Sequence, residues 1–239
     1  MEIAVISDLH ANPFALEAVL QEIEDVDLIY CLGDIVGIGP LPAETVDMLI
    51  GERRIRKVLG NHDHNTLHGT ELGPIREIPR RPHHDWVRAQ LSGEHMEHLR
   101  SDKFLHLEGP PELSFMHRHP GDCWSKVPYF YDSSPEVLDS FYEDVRGEIL
   151  FFGHTHIPLD VKGEHGRRYV NPGAVGAENA GLARFVRLRT DHEGKYRIHN
   201  HAVPYDTEAV KDALEQRAPP YWEFIIDHFF GPHPAGYHR

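Results

Sequence analysis

Short apolar runs that stop abruptly at aspartate, asparagine or histidine set the organisation of this chain. The first is Glu2-Ile3-Ala4-Val5-Ile6-Ser7, which runs into Asp8-Leu9-His10. Asp27 to Leu32 then leads into Gly33-Asp34-Ile35-Val36-Gly37, and Arg56 to Leu59 into Gly60-Asn61-His62-Asp63. Glu112 to Met116 leads into His117-Arg118-His119, and Glu148 to Phe152 into Gly153-His154-Thr155-His156. A short apolar run bounded by polar residues fits a strand buried on both faces. Sheets of that kind carry their chemistry just past the carboxyl ends of the strands. The chain therefore reads as an α/β protein whose polar residues gather at one edge of the sheet.

The segments between these runs support that pattern. Asn12 before Pro13 is a helix start, a capping amide followed by proline at the first helical position, and Phe14, Leu16, Val19, Leu20 and Ile23 continue it. Pro42 to Ile50 is a second helix, so the first three strands alternate with helices as in parallel α/β packing. Residues 64–102 hold turn residues and then a helix over Asp85 to Leu99, and read as a helical insertion over the site. Phe104 to Leu107 and Glu112 to Met116 read as two short strands parted by Gly109-Pro110-Pro111, residues 120–134 as loop, and Pro135 to Val145 as helix. Arg168 to Val170 leads to Asn171-Pro172-Gly173-Ala174-Val175-Gly176. Leu182 to Arg189 and Tyr196 to Val203 make a hairpin, and Glu208 to Gln216 a helix. From Pro219 an aromatic tail over 219–239 carries Tyr221, Trp222, Phe224, Phe229 and Phe230, which must bury against the chain's own core or against a second copy. Residues 1–239 are expected to form a single domain.

Bulk properties narrow the function. The net charge is -14, with 38 acidic against 24 basic residues, which argues against general nucleic-acid binding. No apolar run reaches the length of a membrane span, and the two cysteines, Cys31 and Cys123, imply no disulfide framework, so a cytoplasmic location is expected. Of the 20 histidines, His83-His84 and the tail residues His228, His233 and His238 show no metal-site spacing.

The strand-end residues do. Asp8, His10, Asp34, Asn61, His62, His117, His154 and His156 are oxygen and imidazole donors with no thiolate among them. Such a set suits manganese, iron, zinc, cobalt or nickel rather than a structural zinc. It is too large for one ion and about right for two, with Asp34 able to bridge. Two ions about 3.5–4 Å apart can clamp the attacking and leaving oxygens of a displacement at phosphorus.

In this order, Asp8-Leu9-His10, Gly33-Asp34-Ile35-Val36-Gly37, Gly60-Asn61-His62-Asp63, a histidine after a strand and Gly153-His154-Thr155-His156 resemble the calcineurin-like metallophosphoesterases, over roughly residues 2–176. Asn171 to Gly176 resembles the small bacterial and archaeal phosphodiesterase-type branch. The resemblance implies a four-layer α/β/β/α sandwich and two divalent or trivalent transition-metal ions, manganese first. It places Asp8, His10 and His156 on one ion and Asn61, His117 and His154 on the other, with Asp34 between and His62 as general acid. His119 could share the strand face of His117. Arg118 stands where the family often has glycine, and could hold a substrate phosphate alongside Asn61 and His62. Protein-phosphatase relatives orient the acid histidine with an acidic residue at the position of Gly37 and follow it with arginine, here Ile38; Asp63, next to His62 in sequence, is not expected to replace that partner. The stretch after Gly176 also lacks the basic residue that many relatives carry.

The implied activity is hydrolysis of phosphodiesters or phosphomonoesters by a metal-bridging hydroxide, on a small phosphorylated substrate such as a nucleotide. Alternatives are a dinucleoside polyphosphate hydrolase, a serine/threonine protein phosphatase, and a metal-binding scaffold without turnover.

Overall fold

A computed structural model describes residues 1–69, 80–121 and 132–231. Two five-stranded sheets form the centre. The first has the order β10-β9-β1-β2-β3, with β1 at Glu2–Ile6, β2 at Leu28–Cys31, β3 at Ile55–Lys57, β9 at Leu182–Thr190 and β10 at Tyr196–Pro204. Strands β1, β2 and β3 run parallel, and the β9–β10 hairpin joins β1 antiparallel. The second sheet has the order β4-β5-β6-β8-β7, with β4 at Phe104–Leu107, β5 at Leu113–Met116, β6 at Ile149–Phe151, β7 at Leu159–Lys162 and β8 at Arg168–Asn171. Its inner strands β5, β6 and β8 are parallel and its edges antiparallel.

The apolar runs of β1, β2, β5 and β6 are nearly continuous because both faces of these strands are covered. Ala4 and Ile6 of β1 face the helices α1 (Pro13–Glu22) and α2 (Pro42–Gly51), while Ile3 and Val5 face the second sheet. Ile29 and Tyr30 divide in the same way on β2. On β6, Ile149 and Phe151 face the first sheet, and Leu150 packs toward helix α6 (Pro135–Phe141). Tyr30, Phe115 and Phe151 stack in series between the sheets, at ring separations of 3.7 and 5.2 Å. The result is the expected four-layer α/β/β/α sandwich.

Several segments differ from expectation. The helix expected over Asp85 to Leu99 is two helices, α4 (Arg81–Ala89) and α5 (Gly93–Leu99). Ser92 starts the second one: its Oγ accepts the His95 N–H at 3.1 Å, which breaks the chain at Gln90–Ser92. The helix from Pro135 stops at Phe141 rather than Val145. Helix α3 (Asn61–His68) begins directly at the Asn61-His62 pair, and strand β7 was not anticipated. The expected loop at 120–134 lies mostly outside the described residues, as do Cys123, His233 and His238.

Cys31 is a buried free thiol. Helix α7 (Thr207–Arg217) is followed by α8 (Trp222–Ile225) and a π-helical turn at Ile226–Phe230. Ile225 and Phe230 bury against Val210 and Leu214 of α7, so the described part of the aromatic tail packs on its own chain. Among the described residues no helix is long and apolar enough to cross a membrane.

Candidate metal centre

The strand ends converge because the backbone turns sharply there. Asp8, His10, Asp34, His154 and His156 all have left-handed conformations, with φ of 55°, 48°, 52°, 72° and 61°. For residues with a Cβ each such turn costs about 1–2 kcal/mol, and clusters of them mark functional sites. Hydrogen bonds between loops hold the turns. The Asp8 N–H donates to Gly33 O at 3.0 Å, His10 N–H to Asp34 O at 2.9 Å, and Gly153 N–H to His117 O at 3.1 Å. Gly60 allows the third loop to close on the second, since a Cβ there would overlap the Asp34 backbone.

The side chains then meet. Asp8 Oδ2 accepts hydrogen bonds from Ser7 Oγ at 2.6 Å and from the His154 N–H at 3.0 Å. Among the described residues its Oδ1 has no hydrogen-bond partner, and it lies 3.3 Å from His156 Nε2 and 3.7 Å from His10 Nε2. Asp34 Oδ1 accepts the His62 N–H at 2.8 Å, while its Oδ2 lies 3.2 Å from His117 Nε2 and 4.0 Å from His10 Nε2. His10 and His156 face each other, Nε2 to Nε2, at 2.9 Å. His117 donates from Nδ1 to Leu32 O at 2.8 Å, which turns Nε2 toward Asp34 and toward Asn61 Oδ1 at 3.1 Å. Such a carbonyl contact fixes the tautomer that a ligating imidazole needs.

Among the described residues three groups have donor atoms within 4.8 Å of one another: Asp8, His10 and His156; Asp34, His117 and His154; and His10, Asp34 and His62. Asp8, His10, Asp34 and His117 are almost completely buried. A buried carboxylate oxygen without a partner costs about 1–3 kcal/mol, and Asp8 Oδ1 would be relieved of that by a cation. With only oxygen and imidazole donors, the cluster fits hard or borderline transition-metal ions.

The electrostatics agree. Burial alone would raise Asp8, but the neighbouring His156 and His117 hold it down to about 2. Asp34 is likewise held well below the usual carboxylate range, His117 prevailing over burial. Burial lowers His10 to about 4 and, with the charges of His117 and Arg118, lowers His154 to about 3. Burial opposes protonation of His117, yet the Asp34 carboxylate raises it to about 9. Ionised carboxylates and neutral imidazoles are the forms that bind metal, and a cation between Asp8 and Asp34 would occupy the field that draws a proton to His117.

The His62 ring lies 5.0 Å from His10 and 5.1 Å from His84 of α4. Its Nδ1 rests against Gly37, leaving no space for the carboxylate that protein-phosphatase relatives put at that position. Asp63 points away from His62. Its Oδ1 accepts the Ile35 and Val36 N–H groups at 2.8 and 3.1 Å, and its Oδ2 the Gly60 N–H at 3.1 Å. His119 leaves the cluster to meet Asp144 at 2.8 Å and stack on Tyr142. Arg118 lines a small cleft next to Asn61 and His117. The roles of Asp63 and His84 were not anticipated: adjacency to His62 says nothing of the amides that Asp63 holds, and His84 reaches His62 only through the packing of α4 on α3.

The sequence model of the calcineurin-like phosphoesterase superfamily domain matches residues 1–193. An uncharacterized protein of Methanocaldococcus jannaschii is 30% identical over 92% of this chain and 94% of its own length. The symmetrical bis(5'-nucleosyl)-tetraphosphatase of Pseudomonas fluorescens is 32% identical over 50% of this chain and 42% of its own length. The crystal structure of a metallophosphoesterase from Sphaerobacter thermophilus superposes with a TM-score of 0.77 at 27% identity, covering 96% of this chain and 98% of the other.

Proposed function

Because this chain belongs to the calcineurin-like phosphoesterase superfamily, we propose that it is a metal-dependent phosphoesterase with a dinuclear centre. The carrying observation is the pair of carboxylate oxygens, Asp8 Oδ1 and Asp34 Oδ2, that project into a buried ring of imidazoles. Asp8, His10 and His156 would hold one ion, Asn61, His117 and His154 the other, and Asp34 both. When bound, such ions supply a water ionised near neutral pH and a positive clamp on the phosphoryl oxygens. Manganese is the first choice, with iron, zinc, nickel or cobalt as alternatives.

The chain's own residues do the rest. His62 turns Nδ1 toward Gly37, which leaves Nε2 as the end that meets the leaving oxygen. Burial holds His62 well below the ordinary imidazole range. An anionic phosphoryl group beside it favours the imidazolium, which then gives its proton to the leaving oxygen. Arg118 can grip a substrate oxygen on the Asn61 side. A small substrate suits an acidic chain better than a long polyanion, and the buried thiol of Cys31 suits a reducing cytoplasm. Gly37 beside His62 argues against protein-phosphatase activity. A second reading, hydrolysis of dinucleoside polyphosphates, is favoured by the similarity to the symmetrical tetraphosphatase over half of the chain.

The test is hydrolysis of bis-p-nitrophenyl phosphate and p-nitrophenyl phosphate by the purified chain with added Mn²⁺. Mn²⁺-stimulated turnover is expected, and the preferred ester separates diesterase from monoesterase. Bound metal with no turnover of either ester or of a dinucleoside tetraphosphate would contradict the proposal in favour of a non-catalytic metal protein.

A further inference from the structure

The His62 ring touches two other imidazoles. His10 meets it edge-on at 5.0 Å and 82°, and His84 of α4 meets it at 5.1 Å and 46°. Its Nδ1 is buried against Gly37 and has no hydrogen-bond partner among the described residues. The bond from its backbone N–H to Asp34 does not fix the ring. The outer torsion of a histidine is broad when nothing packs on it, so ring contacts set the angle of His62. His10 is committed to the cluster, whereas His84 belongs to none of the donor groups found among the described residues.

His84 is itself held in place. Arg88, one turn further along α4, donates from Nη1 to Thr66 O and Leu67 O at 2.9 Å each. These carbonyls lie in the last turn of α3, where the helix has no N–H of its own to offer them. Arg88 thereby locks α4 onto α3. Residues one turn apart share a helix face, so the same lock brings His84 level with His62 at the start of α3. Val87 is buried in the core. The adjoining His83 donates from Nδ1 to Pro220 O at 3.3 Å and stacks on Trp86 at 6.0 Å.

We propose that His84 is a positioning residue for His62: its ring, locked to α3 through Arg88, holds the His62 imidazole at the angle from which Nε2 meets the leaving oxygen. This rests on the phosphoesterase reading above and gives α4 a part in the reaction. Proton transfer in the transition state needs the donor within hydrogen-bond reach, and a small misplacement of such a group is costly in rate.

An aryl phosphate series of graded leaving-group pKa tests this with His84→Ala and with His84→Phe, which keeps a flat ring without nitrogens. His84→Ala is expected to slow poor leaving groups about tenfold more than good ones, and His84→Phe to restore the wild-type dependence to within about twofold. Bound Mn²⁺ is expected to be equal in the three proteins. An equal loss across the series in His84→Ala, or a loss in His84→Phe as large as in His84→Ala, overturns the proposal. If His84→Ala does not fold by circular dichroism, Arg88→Met, which frees α4 without touching the cluster, takes its place with the same expected dependence. Spectra of the chain carrying ring-labelled ¹³C-histidine give a reading without turnover, with His62 assigned by its absence in His62→Gln. Its Cε1–H line is expected to be single and sharp in the wild type and His84→Phe, and broadened or doubled in His84→Ala. One sharp line in all three overturns the proposal. Broadening in His84→Ala with no turnover of any ester by the wild type would count against the phosphoesterase reading and leave the positioning of His62 standing.

Discussion

Asp34 Oδ1 accepts the backbone N–H of His62 at 2.8 Å. The carboxylate proposed to bridge the metals is thus anchored by the main chain of the residue proposed as general acid, not by its ring. Replacing the ring leaves that anchor in place. His62→Ala is therefore expected to keep its metal and to slow poor leaving groups by about 10²–10⁴-fold, and good ones much less. A series of aryl phosphates of graded leaving-group pKa measures this. An equal loss across the series would remove His62 from the acid role.

Gly37 is a second route to the same ring. It has φ +87°, and a Cβ there would overlap His62 Nδ1. Gly37→Ala should displace His62 and reproduce the leaving-group dependence of His62→Ala. Its folding cost should be about 1–2 kcal/mol for a left-handed residue with a Cβ. Urea unfolding and the aryl phosphate series check both parts; a wild-type rate on poor leaving groups would show that the ring is not held here.

Asp63 has a structural job with a functional consequence. It accepts N–H groups from Ile35, Val36 and Gly60, joining the loops that carry Asp34 and Asn61. Asp63→Ala strands buried donors and should destabilise the fold by roughly 2–5 kcal/mol. Asp63→Asn keeps an acceptor for Ile35 and Val36 and should lose less. Urea midpoints decide the order, and equal losses in the two variants would argue against the acceptor role.

Much of the candidate cluster was legible because β1, β2, β5 and β6, buried on both faces, are apolar almost throughout, so their ends show as sudden polarity at Asp8, Asp34, His117 and His154. The left-handed turns of Asp8 and His10 were not, since nothing in Asp-Leu-His reports a φ that is set by bonds to Gly33 and Asp34 in another loop. Strand β7 carries little sequence signal because Leu-Asp-Val-Lys is only four residues long and lies at a sheet edge. His84 is in sequence only half of a histidine pair, because its approach to His62 depends on the packing of α4 on α3.

Histidines 83 and 84, which adjoin the cluster through the His62–His84 ring contact, predict an acid sensitivity. Burial, and then each other's charge for His83, lowers His83 to about 4 from 6.5; burial likewise lowers His84 to about 4. These bases stay neutral in the fold while the unfolded chain takes up protons below pH 6.5. Stability should therefore fall as pH drops from about 6.5 to 4 and level off below. Urea midpoints across that window, for wild type and His83→Gln, measure it. The variant should show a shallower slope; an unchanged slope would place the titration elsewhere.

The central claim is a site for two ions joined by Asp34. Its most direct test is the metal content of chain dialysed against Mn²⁺ and then rinsed of loosely held ion, for wild type and Asp34→Asn. Two ions per wild-type chain, and fewer than two with loss of turnover in Asp34→Asn, is the expected result. One ion or none in the wild type, or two ions and full turnover in the variant, would contradict it.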